Sequence, residues 1–329
     1  MKQILNQLFE HQKLTHAQAR EVLINISENK YNPSQLAAFI SVYLMRNISA
    51  EELAGFRDAL LELCVPVKLD EEVIDLCGTG GDSKNTFNIS TLASFVVAGA
   101  GYKVAKHGNY GVSSVSGSSN VLEHFGFVFT NKMDEIRKQL DASNICFLHA
   151  PIFHPALRSV GPIRRELGVK TFFNMLGPMV NPANPTYQSV GVFSLKLARL
   201  YQFIYQQTNK KYCIIHGTDG YDEVSLTSVT KLYSNEEERL AGPEWFGLPQ
   251  YSQEDIFGGD TIAEAAKIFM AILENNGTKA QADVVCANAA LGIRCFDQSR
   301  SITDCVSEAR YSLESGRAKN AFEKLLSAQ

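Results

Sequence analysis

The chain has 329 residues, of which 45% are hydrophobic and 20% are charged, and its formal net charge is −4 at pH 7. This composition excludes a largely disordered protein, and the length suits one large domain together with a smaller one. The small negative charge provides no broad basic field for nucleic acid, and no apolar stretch reaches the ~18 residues of a membrane span.

The first 63 residues are predicted to be helical, because apolar side chains recur at three- and four-residue spacing. Helix starts are marked by two capping-box pairs and one proline: Thr15 with Gln18, Ser49 with Glu52, and Pro33 after Asn32. The sequence therefore predicts a small all-helical domain over residues 1–65.

From Val73 onwards, short apolar strands alternate with helical patterns. Strands are predicted at 73–77, 102–106, 127–129, 145–149, 188–193 and 212–216. Helices are predicted at 117–125, 132–142, 196–207, 261–276, 279–294 and 302–327. This alternation is typical of right-handed βαβ units. We expect a larger α/β domain with a mostly parallel sheet over 66–153 and 186–329, while the segment near 154–185 returns to the helical domain.

The first predicted strand opens into a loop rich in glycine, which we call the glycine loop (residues 78–91, GTGGDSKNTFNIST). Its glycines expose backbone N–H groups and its last residues begin a helix, a combination that suits an anion such as phosphate. Position 83 is Ser, which excludes the G-x-G-x-x-G pattern, and no Lys-Ser/Thr pair completes a P-loop. The alternative is a tight turn without a ligand.

A second polar loop follows the next strand, and we call it the serine loop (residues 106–119). It begins Lys106-His107-Gly108-Asn109 and continues through Ser113, Ser114, Ser116, Gly117, Ser118 and Ser119. Ligands of open parallel sheets bind beyond the carboxyl ends of the strands, where both loops are expected. Two such loops indicate a phosphorylated ligand, although a solvated connection would have a similar composition. We assign His107 to binding and packing rather than to base chemistry.

Two adjacent carboxylates, Asp222 and Glu223, follow the strand at 212–216 and the turn at 217–220. The pair is either an ordinary polar loop or a pair of hard oxygen ligands that hold Mg²⁺ against a pyrophosphate.

A third segment, residues 154–182, combines a basic helix with a proline-bounded turn. It is either a surface helix with a loop or a pocket for a flat apolar acid, with an arginine that pairs with the carboxylate.

The seven cysteines include no C-x-x-C pair, and three of them lie in apolar, strand-like segments: Cys77, Cys146 and Cys213. Buried free thiols in a reducing compartment explain this spacing better than disulfides or zinc do. The first residues are amphipathic and lack the apolar core of a signal peptide. We therefore expect a cytoplasmic protein whose partners include neither a membrane nor a nucleic acid.

Taken together, these segments resemble the anthranilate phosphoribosyltransferase family over essentially the whole chain. The motifs that carry the resemblance are Gly78–Asp82, Asn88–Thr91, Lys106–Asn109 with Ser113–Ser118, His154–Asn181, and His216-Gly217 with Asp222-Glu223. The resemblance implies the architecture of class II nucleoside phosphorylases and a homodimer formed through the helical domains. It also implies transfer of the phosphoribosyl group of 5-phosphoribosyl 1-pyrophosphate (PRPP) to anthranilate in tryptophan biosynthesis.

The resemblance also implies a role for each matching residue. PRPP would be bound by Gly78, Gly81, Asp82, Thr86, Asn88, Ser90, Thr91, Lys106 and Ser118. Anthranilate would be held by Gly78, His107, Asn109, Arg164, Gly177 and Pro178. Two Mg²⁺ ions per active site would be bound by Ser90, Asp222 and Glu223. No residue is expected to act as a covalent nucleophile or general base.

In and beside the serine loop, this chain differs in two places from the residues that are commonest in the family. Tyr110 stands where Arg is frequent, and Ser119-Asn120 stands where Ala-Asp is frequent.

Two alternative functions remain. A pyrimidine nucleoside phosphorylase would be expected to read Lys-His-Ser where this chain has Lys-His-Gly-Asn. A non-catalytic relative that binds nucleic acid is disfavoured by the net charge of −4 and by the retained acidic pair.

Overall fold

The computed structural model describes residues 1–111 and 115–329. The strands are β1 (Ile74–Gly78), β2 (Val104–Gly108), β3 (Ile145–His149), β4 (Tyr187–Gly191), β5 (Lys211–Gly217), β6 (Thr230–Ser234) and β7 (Glu238–Ala241). The helices are α1 (Lys2–Phe9), α2 (His16–Ser27), α3 (Pro33–Met45), α4 (Ala50–Leu63), α5 (Ile89–Gly99), α6 (Ser118–His124), α7 (Met133–Ser143), α8 (Ala150–Phe153), α9 (Gly161–Leu167), α10 (Leu195–Tyr205), α11 (Ile262–Leu273), α12 (Lys279–Phe296), α13 (Ile302–Glu314) and α14 (Arg317–Ser327).

The chain divides into two compact units. The helical unit comprises Met1–Val67 and Ala150–Asn184, and the α/β unit comprises Lys68–His149 and Pro185–Gln329. Among the residues described, no helix is both long enough and apolar enough to cross a membrane.

The helices of the helical unit begin where the sequence predicts them. Capping boxes form at Thr15, Asn32 and Ser49, in which each cap side chain accepts a hydrogen bond from the backbone N–H three residues later. These bonds satisfy donors that the first turn of a helix otherwise leaves unpaired. The predictions for α2, α3 and α4 are confirmed.

An aromatic cluster forms the core of the helical unit and includes a residue of the returning segment. The Phe172 ring stacks on Phe56 with centroids 4.7 Å apart and meets Phe39 edge-on at 6.1 Å. All three side chains are almost completely buried. Phe172 therefore joins the residues after Ala150 to the core built by α3 and α4.

Replacing Phe172 by Ala should destabilise the helical unit by about 3–5 kcal/mol, because the ring is fully packed and its loss leaves a cavity. The measurement is urea denaturation followed by circular dichroism. Phe203→Ala is the control, since that ring is 52% exposed, and it should change the free energy of unfolding by less than about 0.5 kcal/mol. Equal effects of the two substitutions would contradict this description of the core.

The α/β unit is built on a seven-stranded sheet with the order β3-β2-β1-β4-β5-β6-β7. The first five of these strands pair in parallel, and β6 and β7 are antiparallel. Helix α5 packs against β1 and against α12 and α14, so the β1–α5 connection leads into the core of the unit. The prediction of a helical domain plus an α/β domain with a mostly parallel sheet is confirmed.

Two predictions of secondary structure are wrong, and two strands were not predicted. Residues 127–129 form no strand, because their apolar rings are used for packing: Phe127 contacts Phe147 at 6.1 Å between centroids, outside the sheet. The single helix predicted at 302–327 is interrupted at Gly316, whose φ of +76° ends α13 and begins α14. Strands β6 and β7 were not predicted, since they leave the βαβ rhythm and β7 is largely exposed.

Candidate active site

The carboxyl ends of three strands of the α/β unit carry the predicted ligand-binding segments. The glycine loop follows β1, the serine loop begins within β2, and the acidic pair (Asp222 and Glu223) follows β5. Parallel strands end at the same edge of a sheet, which is why segments far apart in sequence meet here. The predicted residues of the α/β unit therefore lie at one edge.

The glycine loop leaves β1 through left-handed backbone. Gly80 and Gly81 have φ of +62° and +78°, which glycine adopts without steric cost. The Gly80 N–H donates to Oδ2 of Asp222 at 2.7 Å. A Cβ added at Gly78 would lie 2.5 Å from that same oxygen. The loop and the acidic pair are thus in direct contact, and glycine is required for the approach.

Helix α5 begins at the far end of the glycine loop and presents its amino terminus to the same site. The Ser90 N–H donates to Oε1 of Glu223 at 3.3 Å. The Asn88 side chain donates through Nδ2 to the carbonyl oxygen of Ser116 at 2.9 Å, which joins the glycine loop to the serine loop. The Asn88 Oδ1 atom is buried and has no hydrogen-bond partner among the residues described. A polar acceptor at a helix amino terminus, next to bare N–H groups, suits a hydroxylated and phosphorylated ligand.

The carboxylates of the acidic pair are largely shielded from water, since Asp222 is buried and Glu223 is half-buried. Burial, and next the neighbouring Asp82 carboxylate, raise the pKa of Asp222. Burial, and next Asp222 itself, raise the pKa of Glu223, while Lys106 opposes that shift. The Oε2 atom of Glu223 has no hydrogen-bond partner in the described parts of the chain. Carboxylates held together at this cost are stabilised when a cation lies between them.

Magnesium fits this donor set. Asp222 and Glu223 provide hard oxygen atoms, one of which is unused, and Mg²⁺ usually binds through one or two carboxylates together with phosphate oxygens and water. Within residues 1–111 and 115–329, no group of three or more His, Cys, Asp or Glu side chains has the arrangement of a metal site. A magnesium ion held by Asp222 and Glu223 would complete its coordination with other oxygen atoms, including those of the substrate.

Two residues that the sequence analysis did not assign fix the backbone of the acidic pair. A Cβ at Gly191, the last residue of β4, would lie 1.4 Å from the carbonyl oxygen of Asp222. Asn288, in α12, accepts a hydrogen bond from the Val224 N–H at 3.0 Å and donates to the Val224 carbonyl at 2.8 Å. Asn288 and Val224 are 64 residues apart in sequence, and Gly191 and Asp222 are also distant, so no local pattern could have revealed these contacts.

Asn288→Ala should lower stability by about 2–4 kcal/mol, because it leaves the buried N–H and C=O of Val224 unpaired. It should also raise the magnesium concentration needed for half-maximal initial rate, since Val224 directly follows the acidic pair. Urea denaturation and a magnesium titration of the rate measure the two effects. Asn320→Ala, at an exposed position of α14, should change neither quantity. Unchanged magnesium dependence in Asn288→Ala would remove the residue from this role.

Lys106 is buried in the sheet rather than displayed on the loop surface. Its side chain is 1% exposed, and Nζ donates to the carbonyl oxygen of Leu76 in β1 at 2.6 Å. Burial lowers the pKa of Lys106, and the carboxylate of Asp75 opposes that shift. Asp75 is fully buried and also accepts the N–H of His107 at 3.1 Å. Asp75 could not be identified from the sequence, because an acidic residue inside a strand looks like an ordinary polar residue in an apolar run.

The described part of the serine loop closes on itself through Asn109. The Asn109 N–H donates to Oγ of Ser118 at 3.2 Å, and its carbonyl accepts the N–H of Ser119 at 3.1 Å. Val112, Ser113 and Ser114 lie outside the described residues. The closure brings Asn109 and Ser118, two of the predicted binding residues, next to each other.

The three residues that differ from the commonest family residues each make a hydrogen bond or a ring contact. Asn120 Oδ1 accepts the N–H groups of Gly111 and Gly117 at 2.9 and 3.0 Å. Ser119 Oγ lies 2.8 Å from Nδ1 of His149, and the Tyr110 ring meets that imidazole edge-on with centroids 4.9 Å apart. These contacts support the ends of the serine loop through residues that differ from those commonest in the family.

The remaining predicted residues lie in the helical unit. Arg164, in α9, donates to Oδ1 of Asn174 at 3.3 Å, and its guanidinium lies 5.5 Å from the centroid of the Phe173 ring. Burial lowers the pKa of Arg164, and within this unit the side chain makes no ion pair. Gly177 and Pro178 begin a short 3₁₀ turn, and Pro178 is buried. Arg164 is therefore a half-buried cation that is oriented by neutral groups.

Comparisons with known proteins cover the whole chain. Residues 2–64 match the helical bundle domain of a glycosyl transferase family, and residues 70–319 match the a/b domain of that family. An anthranilate phosphoribosyltransferase of Christiangramia forsetii is 55% identical over 326 residues, which are 99% of this chain and 98% of the relative. The enzyme of the same name from Bacteroides thetaiotaomicron is 53% identical over 327 residues, with 99% and 98% of the two chains covered.

Solved structures agree with these matches. The anthranilate phosphoribosyltransferase of Thermus thermophilus superposes with a TM-score of 0.92 at 30% identity and covers 98% of both chains. The Saccharomyces cerevisiae enzyme in complex with PRPP and Mg superposes with a TM-score of 0.90 at 25% identity, covering 98% of this chain and 96% of the other. The same yeast enzyme has also been solved with 4-fluoroanthranilate, at a TM-score of 0.87 and 25% identity, with the same coverage.

Proposed function

The chain belongs to the anthranilate phosphoribosyltransferase family, and from that membership we propose how its own residues carry out the reaction. It is a pentosyltransferase that transfers the phosphoribosyl group of PRPP to the amine of anthranilate. The products are N-(5-phosphoribosyl)anthranilate and pyrophosphate, and the reaction belongs to tryptophan biosynthesis. One observation carries the proposed mechanism: the acidic pair accepts hydrogen bonds from the backbone N–H groups of Gly80 and Ser90, near the two ends of the glycine loop.

The donor site consists of residues of the α/β unit. We assign PRPP to Gly78, Gly81, Asp82, Thr86, Asn88, Ser90, Thr91, Lys106 and Ser118. The support is the exposed backbone of the glycine loop, the amino terminus of α5, and the Asn88–Ser116 bond that joins the two loops. Lys106 acts from within the sheet, where its buried ammonium raises the local potential next to Glu223.

Magnesium use is supported by the raised pKa of both carboxyl groups of the acidic pair and by the magnesium in the yeast complexes. Ser90, Asp222 and Glu223 would hold the ion, and we propose two ions per active site because each carboxylate can serve one. When bound there, magnesium neutralises negative charge on the pyrophosphate leaving group. The protein residues hold the pyrophosphate end while the bond to ribose C1 breaks, which needs neither a covalent nucleophile nor a general base.

The acceptor residues are assigned one by one. Arg164, in the helical unit, would pair with the carboxylate of anthranilate, because it is a half-buried guanidinium without an acidic partner in that unit. Gly177 and Pro178 would flank the aromatic ring, and Gly78, His107 and Asn109 of the α/β unit would contact the rest of the acid. Binding of 4-fluoroanthranilate by the yeast enzyme supports a pocket for this class of ligand.

We also propose a cytoplasmic homodimer that forms through the helical unit. Three large apolar side chains near the ends of α1 and α3 are exposed, namely Phe9 at 59%, Leu44 at 45% and Met45 at 88%. Large apolar side chains that are exposed in this way suit contact with a second copy of the chain. All seven cysteines are free thiols and six of them are buried, which suits a reducing compartment.

The experiment that tests the function follows the fluorescence of anthranilate in the presence of PRPP and magnesium. We expect the signal to fall in proportion to pyrophosphate release and to stay constant when either PRPP or magnesium is omitted. Phosphorolysis of thymidine or uridine, measured in parallel, should be absent. Nucleoside cleavage without loss of anthranilate would favour a pyrimidine nucleoside phosphorylase, and a salt-dependent gel shift with DNA would favour a nucleic-acid-binding relative.

A further inference from the structure

The part of the glycine loop that precedes α5 is held by a segment that lies about 170 residues later in the chain. The Gly258 N–H donates to the carbonyl oxygen of Asn85 at 2.9 Å. The Asn85 side chain donates in return through Nδ2 to the carbonyl oxygen of Gly259 at 2.8 Å. Thr86 and Phe257 form an isolated antiparallel bridge. Residues 257–259 thus run beside residues 85–86 like a short second strand, and we call them the tether.

Glycine is required at position 258 for reasons of space. A Cβ added there would lie 2.4 Å from both the carbonyl carbon and the carbonyl oxygen of Thr86, and 2.7 Å from the Phe87 nitrogen. All of these are backbone atoms, which cannot rotate away as a side chain can. Any side chain at position 258 therefore displaces either the tether or the backbone of Thr86.

The tether is the more firmly fixed of the two segments. Ile256, directly before it, is completely buried in the main hydrophobic core of the α/β unit. After it, Glu264 Oε2 accepts the N–H groups of Asp260 and Thr261 at 2.7 and 3.2 Å, at the start of α11. The glycine loop, by contrast, includes Ser83 at a φ of +62°, a conformation that costs about 1–2 kcal/mol for a non-glycine residue. Strain of this kind persists only where surrounding structure imposes it.

We propose that the tether is a positioning element for the PRPP site, in which Gly258 fixes where Thr86 and the following turn into α5 present their groups to the donor. Thr86 and Asn88 are assigned to PRPP, so this inference rests on the proposed function. It concerns the donor, because the tether bonds to Asn85 and pairs with Thr86, and neither of these residues is assigned to anthranilate.

The test compares Gly258→Ala with Gly277→Ala. The control adds a methyl group 2.8 Å from the Ile272 side chain, in the turn before α12, far from the loop in sequence. Gly258→Ala should raise the KM for PRPP about tenfold or more, while kcat at saturating PRPP and the KM for anthranilate stay within about twofold. Calorimetric titration of PRPP with magnesium should show the same loss of affinity in Gly258→Ala and no loss in Gly277→Ala.

A second variant covers the case in which Gly258→Ala does not fold. Asn85→Ala removes only the bond to the Gly259 carbonyl and should raise the KM for PRPP about three- to tenfold. An unchanged KM for PRPP in the folded variants, in an assay where the wild type consumes anthranilate, would overturn the role of the tether. A wild type that consumes no anthranilate would instead overturn the proposed function.

Discussion

Replacing Asp222 by Asn together with Glu223 by Gln should reduce kcat about 10³-fold or more while the protein stays folded. The substitutions keep the shape of both side chains and their ability to accept the Gly80 and Ser90 N–H groups. They remove the two negative charges that we propose to hold magnesium, and charge stabilisation of the leaving group is expected to supply most of the acceleration. Steady-state kinetics at saturating magnesium measures the effect.

Stability provides the control for this variant. Burial raises the pKa of both carboxyl groups above their ordinary range. A folded state with a raised carboxyl pKa holds its proton more tightly than the unfolded chain, so its stability falls as the pH rises above about 4. Without magnesium, the double variant should therefore be more stable than the wild type at neutral pH, and the difference should shrink as the pH falls towards 4.

These two measurements separate a catalytic defect from a folding defect. A variant that retains wild-type turnover at saturating magnesium would exclude Asp222 and Glu223 as metal ligands. A variant that is less stable than the wild type at neutral pH, without metal, would show that the two charges are already neutralised by other protein groups.

Replacing Arg164 by Ala should raise the KM for anthranilate about 10- to 100-fold, because a charge-assisted pair with a carboxylate is lost. The KM for PRPP should change little, and kcat should fall less than kcat/KM for anthranilate, since binding energy of this kind acts on bound substrate and transition state alike. Initial rates measured against each substrate in turn distinguish these effects.

Arg165→Ala is the matched control. Arg165 is the next residue of the same helix and is exposed, whereas Arg164 is half-buried against Asn174 and Phe173. The control should leave both KM values within about twofold. If Arg164→Ala leaves the KM for anthranilate unchanged, another residue recognises the carboxylate. If both variants raise this KM equally, the carboxylate responds to the positive charge of the helix rather than to Arg164 in particular.

The sequence was sufficient to predict features that are encoded locally. Capping residues and three- to four-residue spacing placed α2, α3 and α4, and the alternation of strands and helices predicted the parallel part of the sheet. The glycine loop could be recognised because its conformation demands glycine at Gly80 and Gly81. In each case, the residues that carry the signal are neighbours in the chain.

Features that depend on tertiary contact could not be predicted in this way. Gly191 and the Asn288 side chain contact the backbone at Asp222 and Val224, and Gly258 contacts the glycine loop about 170 residues earlier in the chain. Each of the three looks ordinary in its local context. The apolar run at 127–129 resembles a strand, but its rings pack on β3 rather than pairing with it. The β6–β7 hairpin adds an antiparallel edge to the sheet, which the alternation of strands and helices does not predict.

The most direct test of the account is a crystal structure of this protein with PRPP and magnesium. We predict that pyrophosphate oxygen atoms lie within hydrogen-bonding distance of the N–H groups of the glycine loop, and that the carboxylates of Asp222 and Glu223 ligate the metal. Ordered PRPP that leaves the glycine loop without contacts, with both carboxylates turned away from any cation, would contradict it.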